Sequence, residues 1–411
     1  MPTDPAILHI ISNDFHKRVK TNWTTINDFV QHGHIWVESI QAQYNEPIYT
    51  GHARELLLDA MKYFGETSGM FIRKDPAYAL IMKGGGIKGL AYIGALEEIQ
   101  KFYQFTWYAG TSAGAITATL LSSGYTTKQL EDILSVKDFN DFKDAIIPKA
   151  LLNLCTKSGL YEARTFFDWL TGLLSTKLDS TTDVRLIDLP NRLTIFASKK
   201  NSNALIFDSE YPESQNTSVA FAARCSMSIP FIFTPQKSEG LNVMDGGMRN
   251  NFPVDLILKN NPDADFLGLY LGDETFKYKK SNLVSDIFTI WLEANDTDVL
   301  RKYKEQIIVI DPSPISTLKF KLNKKEKEFL LEAGRLAALK FLGKKNLIDI
   351  NSSVHDYTQR RSAHDEVRIG LNRKRIRKKY IRWGYFVVIV IALIFSRTIF
   401  HQITGLYSSL F

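Results

Sequence analysis

A serine framed by glycines is the first residue in this sequence whose surroundings suggest catalysis. Residues 110–114 read Gly-Thr-Ser-Ala-Gly, a G-x-S-x-G motif between an apolar run at 105–109 and a helix-like run at 115–121. A strand, a sharp turn and a helix are the context in which this motif exposes a nucleophile, and the helix amino terminus favours developing negative charge. We therefore predict that Ser112 is a nucleophile.

A glycine-rich turn comes one predicted strand earlier. Residues 84–89 read Gly-Gly-Gly-Ile-Lys-Gly and directly follow the apolar run 79–82. Such glycines let the backbone turn tightly and aim several N–H groups at one point, so we expect negative charge there, and an oxyanion hole for Ser112 is the economical interpretation. The G-x-G-x-x-G pattern would also suit a dinucleotide, but the acidic residue needed about 20 positions on is missing, since Glu131 is the first carboxylate after Glu98.

The distribution of histidine limits which base could activate the serine. The eight histidines are His9, His16, His32, His34, His52, His355, His364 and His401. A serine–histidine–aspartate triad would have to use His355 or His364, which lie in a polar segment without a strand pattern. We expect both to be solvated surface residues and keep the triad as an alternative.

Asp245 is a candidate for taking the serine proton directly. It closes the apolar run 241–244 and is followed by Gly246 and Gly247. An aspartate at the end of a strand, beside two glycines, can lie close against another backbone, and partial burial would raise its proton affinity. A hairpin turn of the Asp-Gly type is the structural alternative.

These motifs resemble those of the patatin-like phospholipases. The glycine-rich turn at 84–89, the G-x-S-x-G at 110–114 and the Asp-Gly-Gly at 245–247 are similar to the three signature blocks of that family and follow in its order. The resemblance covers about residues 77–263. Lys88 stands where many members have arginine, which keeps the positive charge but not the fork geometry of a guanidinium.

The resemblance implies a serine–aspartate dyad that hydrolyses acyl esters of lipids through an acyl-enzyme, without a metal or other cofactor. Ser112 would attack the acyl carbonyl, and Asp245 would act as general base and later activate water. The oxyanion hole would consist of backbone N–H groups, drawn from Gly84, Gly85, Gly86 and Ala113. The residues that would support these motifs are Lys88, Gly89, Gly110, Gly114, Gly246 and Gly247.

The elements that must hold these motifs alternate along the chain. Short apolar runs typical of buried strands occur at 79–82, 105–109, 193–197, 204–207, 266–271 and 307–310. Helical patterns occur at 91–102, 115–122, 165–175, 284–305 and 324–341. This alternation predicts an α/β fold, a three-layer sandwich with a central, mostly parallel sheet flanked by helices. Ligands of such sheets bind at the carboxyl ends of the strands.

The same patterns divide the chain into five segments. We predict an N-terminal helical extension over 1–75 and a patatin-like catalytic domain over 76–350. A polar and then basic linker over 351–379 leads to a transmembrane or membrane-anchoring helix over 380–403 and a short tail over 404–411.

Basic residues are concentrated near the C-terminus. The net charge is +7, but residues 360–382 hold ten basic and two acidic side chains, so the rest of the chain is nearly neutral. A nucleic-acid-binding protein spreads basic and aromatic residues over its folded surface, and this body does not, so we predict no nucleic-acid partner. Cys155 and Cys225 form neither a disulfide framework nor a metal-binding spacing, and we predict no metal site.

An apolar stretch follows the basic residues. A helix over 380–400 would be about 31 Å long, enough to cross the hydrocarbon core if Arg382 and Arg397 reach opposite interfaces. An in-plane anchor is the alternative. The basic run at 373–382 would contact an anionic membrane surface, and its position predicts a single-pass membrane protein whose catalytic domain faces the cytoplasm.

Together these observations predict a membrane-anchored serine lipid acyl hydrolase, a phospholipase A or lysophospholipase that uses Ser112 and Asp245. Its substrate would be a membrane phospholipid or another acyl lipid, and tethering would raise the effective concentration of that substrate. The alternatives are an esterase with a triad that includes His355 or His364, and a catalytically silent, membrane-bound lipid-binding scaffold.

Overall fold

The computed structural model describes ten stretches of the chain: residues 5–21, 26–68, 78–199, 204–238, 240–248, 250–272, 296–317, 319–350, 356–378 and 380–381. By its internal contacts the chain divides into two compact units, Met1–Thr358 and Gln359–Phe411. The motifs predicted to carry the chemistry all lie in the first unit.

Three helices come first in the chain: α1 (Pro5–Thr21), α2 (Ile26–Tyr44) and α3 (Pro47–Ser68). They share a small apolar core, which consists of Ile11, Phe15, Trp36, Val37, Ile40, Tyr49 and Ala53. The helical structure predicted for this part of the chain is confirmed, while the predicted boundary at residue 75 lies outside the described residues.

The later elements alternate as predicted. The strands are β1 (Ala79–Met82), β2 (Trp107–Thr111), β3 (Gly159–Tyr161), β4 (Arg192–Lys199), β5 (Leu205–Asp208), β6 (Phe231–Phe233), β7 (Gln236–Ser238), β8 (Leu241–Asp245), β9 (Phe266–Leu271) and β10 (Ile307–Ile310). The helices are α4 (Leu90–Ile99), α5 (Ala113–Ser122), α6 (Thr127–Val136), α7 (Ile147–Lys157), α8 (Arg164–Leu178), α9 (Val219–Ser226), α10 (Val254–Asn260), α11 (Asp296–Lys302) and α12 (Lys324–Lys344).

Eight of the described strands form the central sheet, in the order β10-β9-β1-β2-β4-β8-β7 with β5 also paired to β4. The pairs from β10 to β4 are parallel, whereas β5, β8 and β7 join in antiparallel pairs. Every residue of β1, β2 and β9 is buried, and since alternate side chains point to opposite faces, both faces of the sheet are covered. The predicted α/β class with a mostly parallel sheet flanked by helices is confirmed.

Several element boundaries differ from the sequence prediction by one to three residues. β2 begins two residues later than the apolar run suggested, because its pairing with β1 begins at Trp107 and Ala79. The helix predicted over 284–305 is described only from residue 296, where α11 begins.

Helices α4 and α12 pack closely because each has a glycine in contact with the backbone of the other. Helix α12 begins with a capping box in which Asn323 and Glu326 each accept the other's backbone N–H, both at 3.1 Å. It then packs on α4, where a Cβ built on Gly334 would lie 1.9 Å from the carbonyl oxygen of Ala91. A Cβ built on Gly94 would lie equally close, 1.9 Å, to the carbonyl oxygen of Leu331.

We expect Gly334→Ala to lower the free energy of unfolding by about 1–3 kcal/mol, because the new methyl group would force the two helices apart. Chemical denaturation measures this change. Gly172→Ala is the matched control, since Gly172 lies within α8 and a Cβ there would meet nothing within 4 Å. This control should stabilise the chain by up to about 1 kcal/mol through helix propensity. Equal effects of the two substitutions would contradict the close helix contact.

The second unit contains most of a further helix, α13, which spans residues 357–378. We predicted a polar linker here, but lysine, arginine and glutamate are good helix formers, and an ion pair one turn apart between Arg361 and Asp365 (3.1 Å) supports the helix. Among the helices described here, none is both long and apolar enough to span a bilayer. The predicted membrane helix over 380–403 lies outside the described residues from position 382 onwards.

Candidate active site

Ser112 lies in a strained turn between β2 and α5. Its backbone has φ 53° and ψ −119°, a conformation that a non-glycine residue rarely adopts. The turn is held by Ser226 at the end of α9. The Ser112 N–H donates to the Ser226 hydroxyl oxygen (2.8 Å), and that hydroxyl donates to the carbonyl oxygen of Phe196 on β4 (2.6 Å).

The two glycines of the motif are required by close backbone contacts. A Cβ built on Gly110 would lie 2.4 Å from the backbone carbon of Gly114, and one built on Gly114 would lie 2.3 Å from the carbonyl oxygen of Met82. The turn after β2 is therefore pressed against the end of β1. This contact brings the serine next to the glycine-rich loop that follows β1.

Asp245 is placed opposite the serine by the register of the sheet. Thr111 on β2 pairs with Phe196 on β4, and Asp245 on β8 pairs with Ala197, the next residue of β4. Ser112 and Asp245 therefore approach from the two sides of one strand, at the same level. The structure brings these two predicted residues together, although 133 positions separate them in the sequence.

The Asp245 carboxylate is buried and only partly satisfied. Its Oδ1 accepts the N–H of Gly247 (2.7 Å), and its own backbone N–H donates to the carbonyl oxygen of Ser228 (2.9 Å). Its Oδ2 has no hydrogen-bond partner of full geometry in the part of the chain that the structure describes. A buried oxygen of this kind is ready to accept a proton or a hydrogen bond.

Burial raises the pKa of Asp245 from its ordinary value of 3.8 to about 6. Hydrogen bonding from the Ser112 side chain and from the Gly247 N–H opposes this shift and lowers the pKa. The Ser112 side chain therefore lies near the carboxylate, and no complete hydrogen bond joins them among the described residues. A carboxyl group with this pKa can act as a general base near neutral pH.

Of the three glycine N–H groups predicted for the oxyanion hole, one is already paired within the fold. The N–H of Gly84 already donates to the carbonyl oxygen of Asn251 (3.0 Å), so our prediction that Gly84 belongs to the oxyanion hole is corrected. Within the described residues, the N–H groups of Gly85 and Gly86 have no acceptor, nor has that of Ala113, the first residue of α5. Gly86 has φ +55°, which favours glycine at this position.

Asn251 fixes the glycine loop beside the nucleophile. Besides accepting the Gly84 N–H, it donates from its side-chain Nδ2 to the carbonyl oxygen of Gly84 (3.3 Å). A Cβ built on Gly84 would lie 3.3 Å from the Cβ of Ser112, so the loop and the serine are neighbours. Sequence reasoning gave Asn251 no role. The feature of the sequence that could have indicated a role for Asn251 is its position six residues after Asp245.

The remaining supporting residues predicted from the sequence lie around this centre. Lys88 and Gly89 belong to a short 3-10 turn, Gly86–Gly89, and a Cβ on Gly89 would lie 3.0 Å from that of Ala113. Gly246 lies against β4, since a Cβ there would be 2.3 Å from the carbonyl oxygen of Phe196. Close packing therefore explains Gly89 and Gly246, as it does the glycines of the serine turn.

Arg224 is a further residue whose role sequence reasoning missed. Its guanidinium is buried and donates to the carbonyl oxygens of Glu162 (2.8 Å) and Thr234 (2.9 Å) and to the hydroxyl of Ser228 (2.7 Å). Because the Ser228 carbonyl oxygen in turn accepts the Asp245 N–H, the arginine braces the segment against which Asp245 is held. The feature of the sequence that could have indicated this role is a single charged residue, Arg224, in a helix of mostly small and apolar residues.

A buried ion pair lies just before the glycine loop. The Nζ of Lys83 is 2.9 Å from a carboxylate oxygen of Asp296, both side chains are buried, and the ammonium group lies 3.9 Å from the ring centre of Tyr270. Neither charge was predicted to matter, because the partners are 213 positions apart and Lys83 follows an ordinary apolar strand.

We expect Lys83→Met to lower the free energy of unfolding by about 3–5 kcal/mol, because the substitution leaves the Asp296 carboxylate buried without its partner. Urea denaturation measures the loss. The double variant Lys83→Met/Asp296→Leu should recover most of it, since both charges are then removed. A double variant no more stable than the single one would contradict this account.

The two histidines of the alternative triad have different outcomes. His355 lies outside the described residues. His364 belongs to the second unit, and its side chain is buried, so our expectation of a solvated surface residue was wrong for it. As for metals, the described stretches contain no cluster of three or more histidine, cysteine, aspartate or glutamate side chains that could bind an ion.

Comparison with known proteins identifies the domain. Residues 80–258 match the sequence model of the patatin-like phospholipases. A 289-residue alignment with the uncharacterized protein YqhO of Bacillus subtilis has 29% identity and covers 64% of this chain and 97% of the relative. The probable lipid hydrolase 463L of Invertebrate iridescent virus 6 is 24% identical over 48% of this chain and 69% of its own.

Among solved structures, VipD from Legionella pneumophila aligns with a TM-score of 0.44 and 16% identity, over 66% of this chain and 67% of VipD. The family match agrees with the order and the geometry of the three motifs. Residues 80–258 therefore belong to the patatin-like phospholipase family, and the chain is a hydrolase of carboxylic esters.

Proposed function

We propose that the chain hydrolyses fatty-acyl esters of membrane lipids, as a phospholipase A or lysophospholipase, through a dyad of Ser112 and Asp245. The observation that carries the proposal is the buried Asp245 carboxylate beside the strained Ser112, next to unpaired backbone donors in the described structure. The family match and the relative named as a probable lipid hydrolase support a lipid ester as substrate.

In the first half of the reaction, the Ser112 Oγ attacks the acyl carbonyl carbon while its proton passes to Oδ2 of Asp245. The carbonyl oxygen becomes negative and receives hydrogen bonds from the N–H groups of Gly85, Gly86 and Ala113. Collapse of this intermediate breaks the ester bond, and the leaving alcohol takes the proton from Asp245. The fatty acid is then bound to the serine as an acyl ester.

In the second half, Asp245 removes a proton from a water molecule, which attacks the acyl ester. The same N–H groups stabilise the second tetrahedral intermediate, and its collapse returns the proton to Ser112 and releases the fatty acid. The positive end of the α5 dipole points at the site and stabilises negative charge in both halves.

Membrane attachment is part of the proposal. The basic run at 373–382 would contact anionic lipid headgroups, and the segment 380–403 would anchor the chain in the bilayer with the catalytic unit on the cytoplasmic side. The support for it is the sequence pattern of ten basic residues before an apolar stretch. A tethered enzyme would meet its substrate at high effective concentration.

The test combines product analysis with active-site labelling. Wild-type chain is incubated with vesicles of diacyl phosphatidylglycerol, and mass spectrometry measures free fatty acid and lysophospholipid. A fluorophosphonate probe should form a covalent adduct on the peptide that contains Ser112. A chain that binds the vesicles but releases no fatty acid and resists the probe would instead be a lipid-binding scaffold.

A further inference from the structure

Helix α7 presents an apolar face to solvent. Ile146, Ile147, Leu151 and Leu152 are each between 55% and 78% exposed, and Phe231 on the adjoining strand β6 is 65% exposed. We call these five residues the α7 face. We propose that the α7 face inserts into the headgroup and upper acyl region of a lipid membrane, and so sets the catalytic unit on its substrate. The inference rests on the proposed function and extends it.

Helix α7 exposes apolar side chains that a helix on the surface of a soluble protein would normally bury. Its buried positions are a small residue, Ala150, and a polar one, Asn153, whose side-chain Nδ2 donates to the carbonyl oxygen of Leu160 (3.3 Å). Of its large aliphatic side chains, Ile147, Leu151 and Leu152 point outward, and Leu154 is half-buried. A surface helix normally buries its apolar side and exposes its polar side, so this reversal indicates an apolar environment outside the protein.

The charges of α7 favour a membrane surface. The helix contains Lys149 and Lys157 and no acidic residue. Lys149 is exposed next to the aliphatic side chains, and Lys157 pairs with Glu162 at 2.9 Å. Apolar side chains that enter the acyl boundary, beside lysines that stay among phosphate groups, are the pattern of a helix that lies in the membrane interface.

Short connections join the α7 face to Ser228, which contacts Asp245. β3 begins two residues after α7 ends, and its first residue, Gly159, pairs with Phe231 on β6. Phe231 lies three residues after Ser228, whose carbonyl oxygen accepts the Asp245 N–H. Its backbone has φ +65°, a strained conformation for phenylalanine. The α7 face is therefore linked through β3 and β6 to the segment that contains Ser228, whose carbonyl oxygen accepts the N–H of the proposed base Asp245.

The cysteines allow a site-specific test in the full chain. Cys155 is exposed on α7, one turn after Leu151 and Leu152, while Cys225 is buried and burial raises its thiol pKa to about 12. A thiol-reactive, polarity-sensitive fluorophore should thus label Cys155 alone. The matched control carries Cys155→Ser and Thr181→Cys, which moves the label to an exposed residue on the turn after α8.

The labelled chains are mixed with vesicles of diether phosphatidylglycerol, which cannot be hydrolysed. The label at 155 should shift to the blue, become protected from aqueous iodide and be quenched by lipids that carry a spin label on the acyl chain. The label at 181 should do none of these. A label at 155 that stays accessible to iodide while the chain floats with the vesicles would overturn the proposal, because the chain would then bind through another segment.

A blue shift at 155 without vesicles, growing with protein concentration, would also overturn the proposal, since the α7 face would then bind a second copy of the chain. Absence of flotation with the vesicles would overturn it as well. These outcomes do not depend on hydrolysis, so they are separate from any failure of the proposed activity.

Kinetics give a second measurement. We expect Leu151→Glu to lower the ratio of activity on phosphatidylglycerol vesicles to activity on a dissolved short-chain ester by about tenfold or more, because the substitution puts a charge where an exposed leucine would enter the bilayer. Ile187→Glu is the control, since Ile187 is also exposed but lies outside the α7 face, and its ratio should match wild type. Equal ratios for all three proteins would contradict the proposal. Inactivity of wild type on the dissolved ester would instead contradict the proposed function.

Discussion

Ser112→Ala is expected to lower kcat/KM for ester hydrolysis by about ten-thousand-fold or more, since no acyl-enzyme can form without the hydroxyl. Initial rates with a dissolved nitrophenyl ester and with phospholipid vesicles measure this loss. Labelling by a fluorophosphonate should disappear with it. The fold should be unaffected, because the backbone N–H of residue 112 still donates to Ser226.

Histidine variants are the control that separates the dyad from a triad. His355→Ala and His364→Ala should each retain activity within a few fold of wild type, since no imidazole takes part in the proposed proton transfer. Because His364 is buried, its stability is measured in parallel by thermal denaturation. A well-folded histidine variant as inactive as Ser112→Ala would show that the serine depends on a triad.

Asp245→Asn is the second substitution with a large expected effect. The amide cannot accept the serine proton, so we expect kcat/KM to fall by about a thousandfold or more. In wild type, activity should rise with pH through about 6, where the raised pKa of Asp245 lies, because only the ionised carboxylate is a base. A wild-type profile without an inflection between pH 5 and 7 would contradict this assignment.

The same substitution should stabilise the chain at alkaline pH. The folded chain keeps a proton on Asp245 up to about pH 6, whereas the unfolded chain loses it near 3.8. Stability therefore falls as the pH rises through this window, and above it the buried carboxylate costs about 3 kcal/mol. Asp245→Asn should recover up to that amount at pH 8 and little at pH 4, as measured by urea denaturation at both values.

A variant that is inactive and less stable than wild type at pH 8 would show that the carboxylate is favourably paired in the folded chain. An inactive variant that is more stable than wild type at pH 8 would show that the buried carboxylate lowers the stability of the chain while it supports activity. Activity and stability must therefore be measured on the same preparations.

The parts of the site that follow from local chain geometry could be predicted from the sequence. A strand followed directly by glycines is recognisable within a few residues of sequence, as at 79–89 and 105–114. The positions of Ser112 and of the glycine-rich loop after their strands were therefore predicted correctly. The lack of histidine in the sheet region and the position of Asp245 at a strand end beside two glycines made it the candidate base, while a triad with His355 or His364 stayed open. Burial on both faces made the strands β1 and β9 visible as continuous apolar runs.

The parts that depend on contacts between distant segments could not be predicted. Lys83 and Asp296 meet only because the sheet brings their elements together, and neither neighbourhood contains a pattern that indicates the pairing. The same holds for Arg224, whose acceptors lie on separate segments. Gly84 was predicted as an oxyanion donor because nothing in the sequence indicates that the Asn251 carbonyl already accepts its N–H.

Asp245 and Asn251 lie only six positions apart, yet one is the proposed base and the other holds the loop whose N–H groups would receive the negative oxygen. Both halves of the catalytic apparatus thus depend on a single short stretch of chain. A shift of that stretch would withdraw the base and loosen the oxyanion donors in one movement. Activity would then be lost completely, and states that keep either the base or the oxyanion donors in place without the other would be rare.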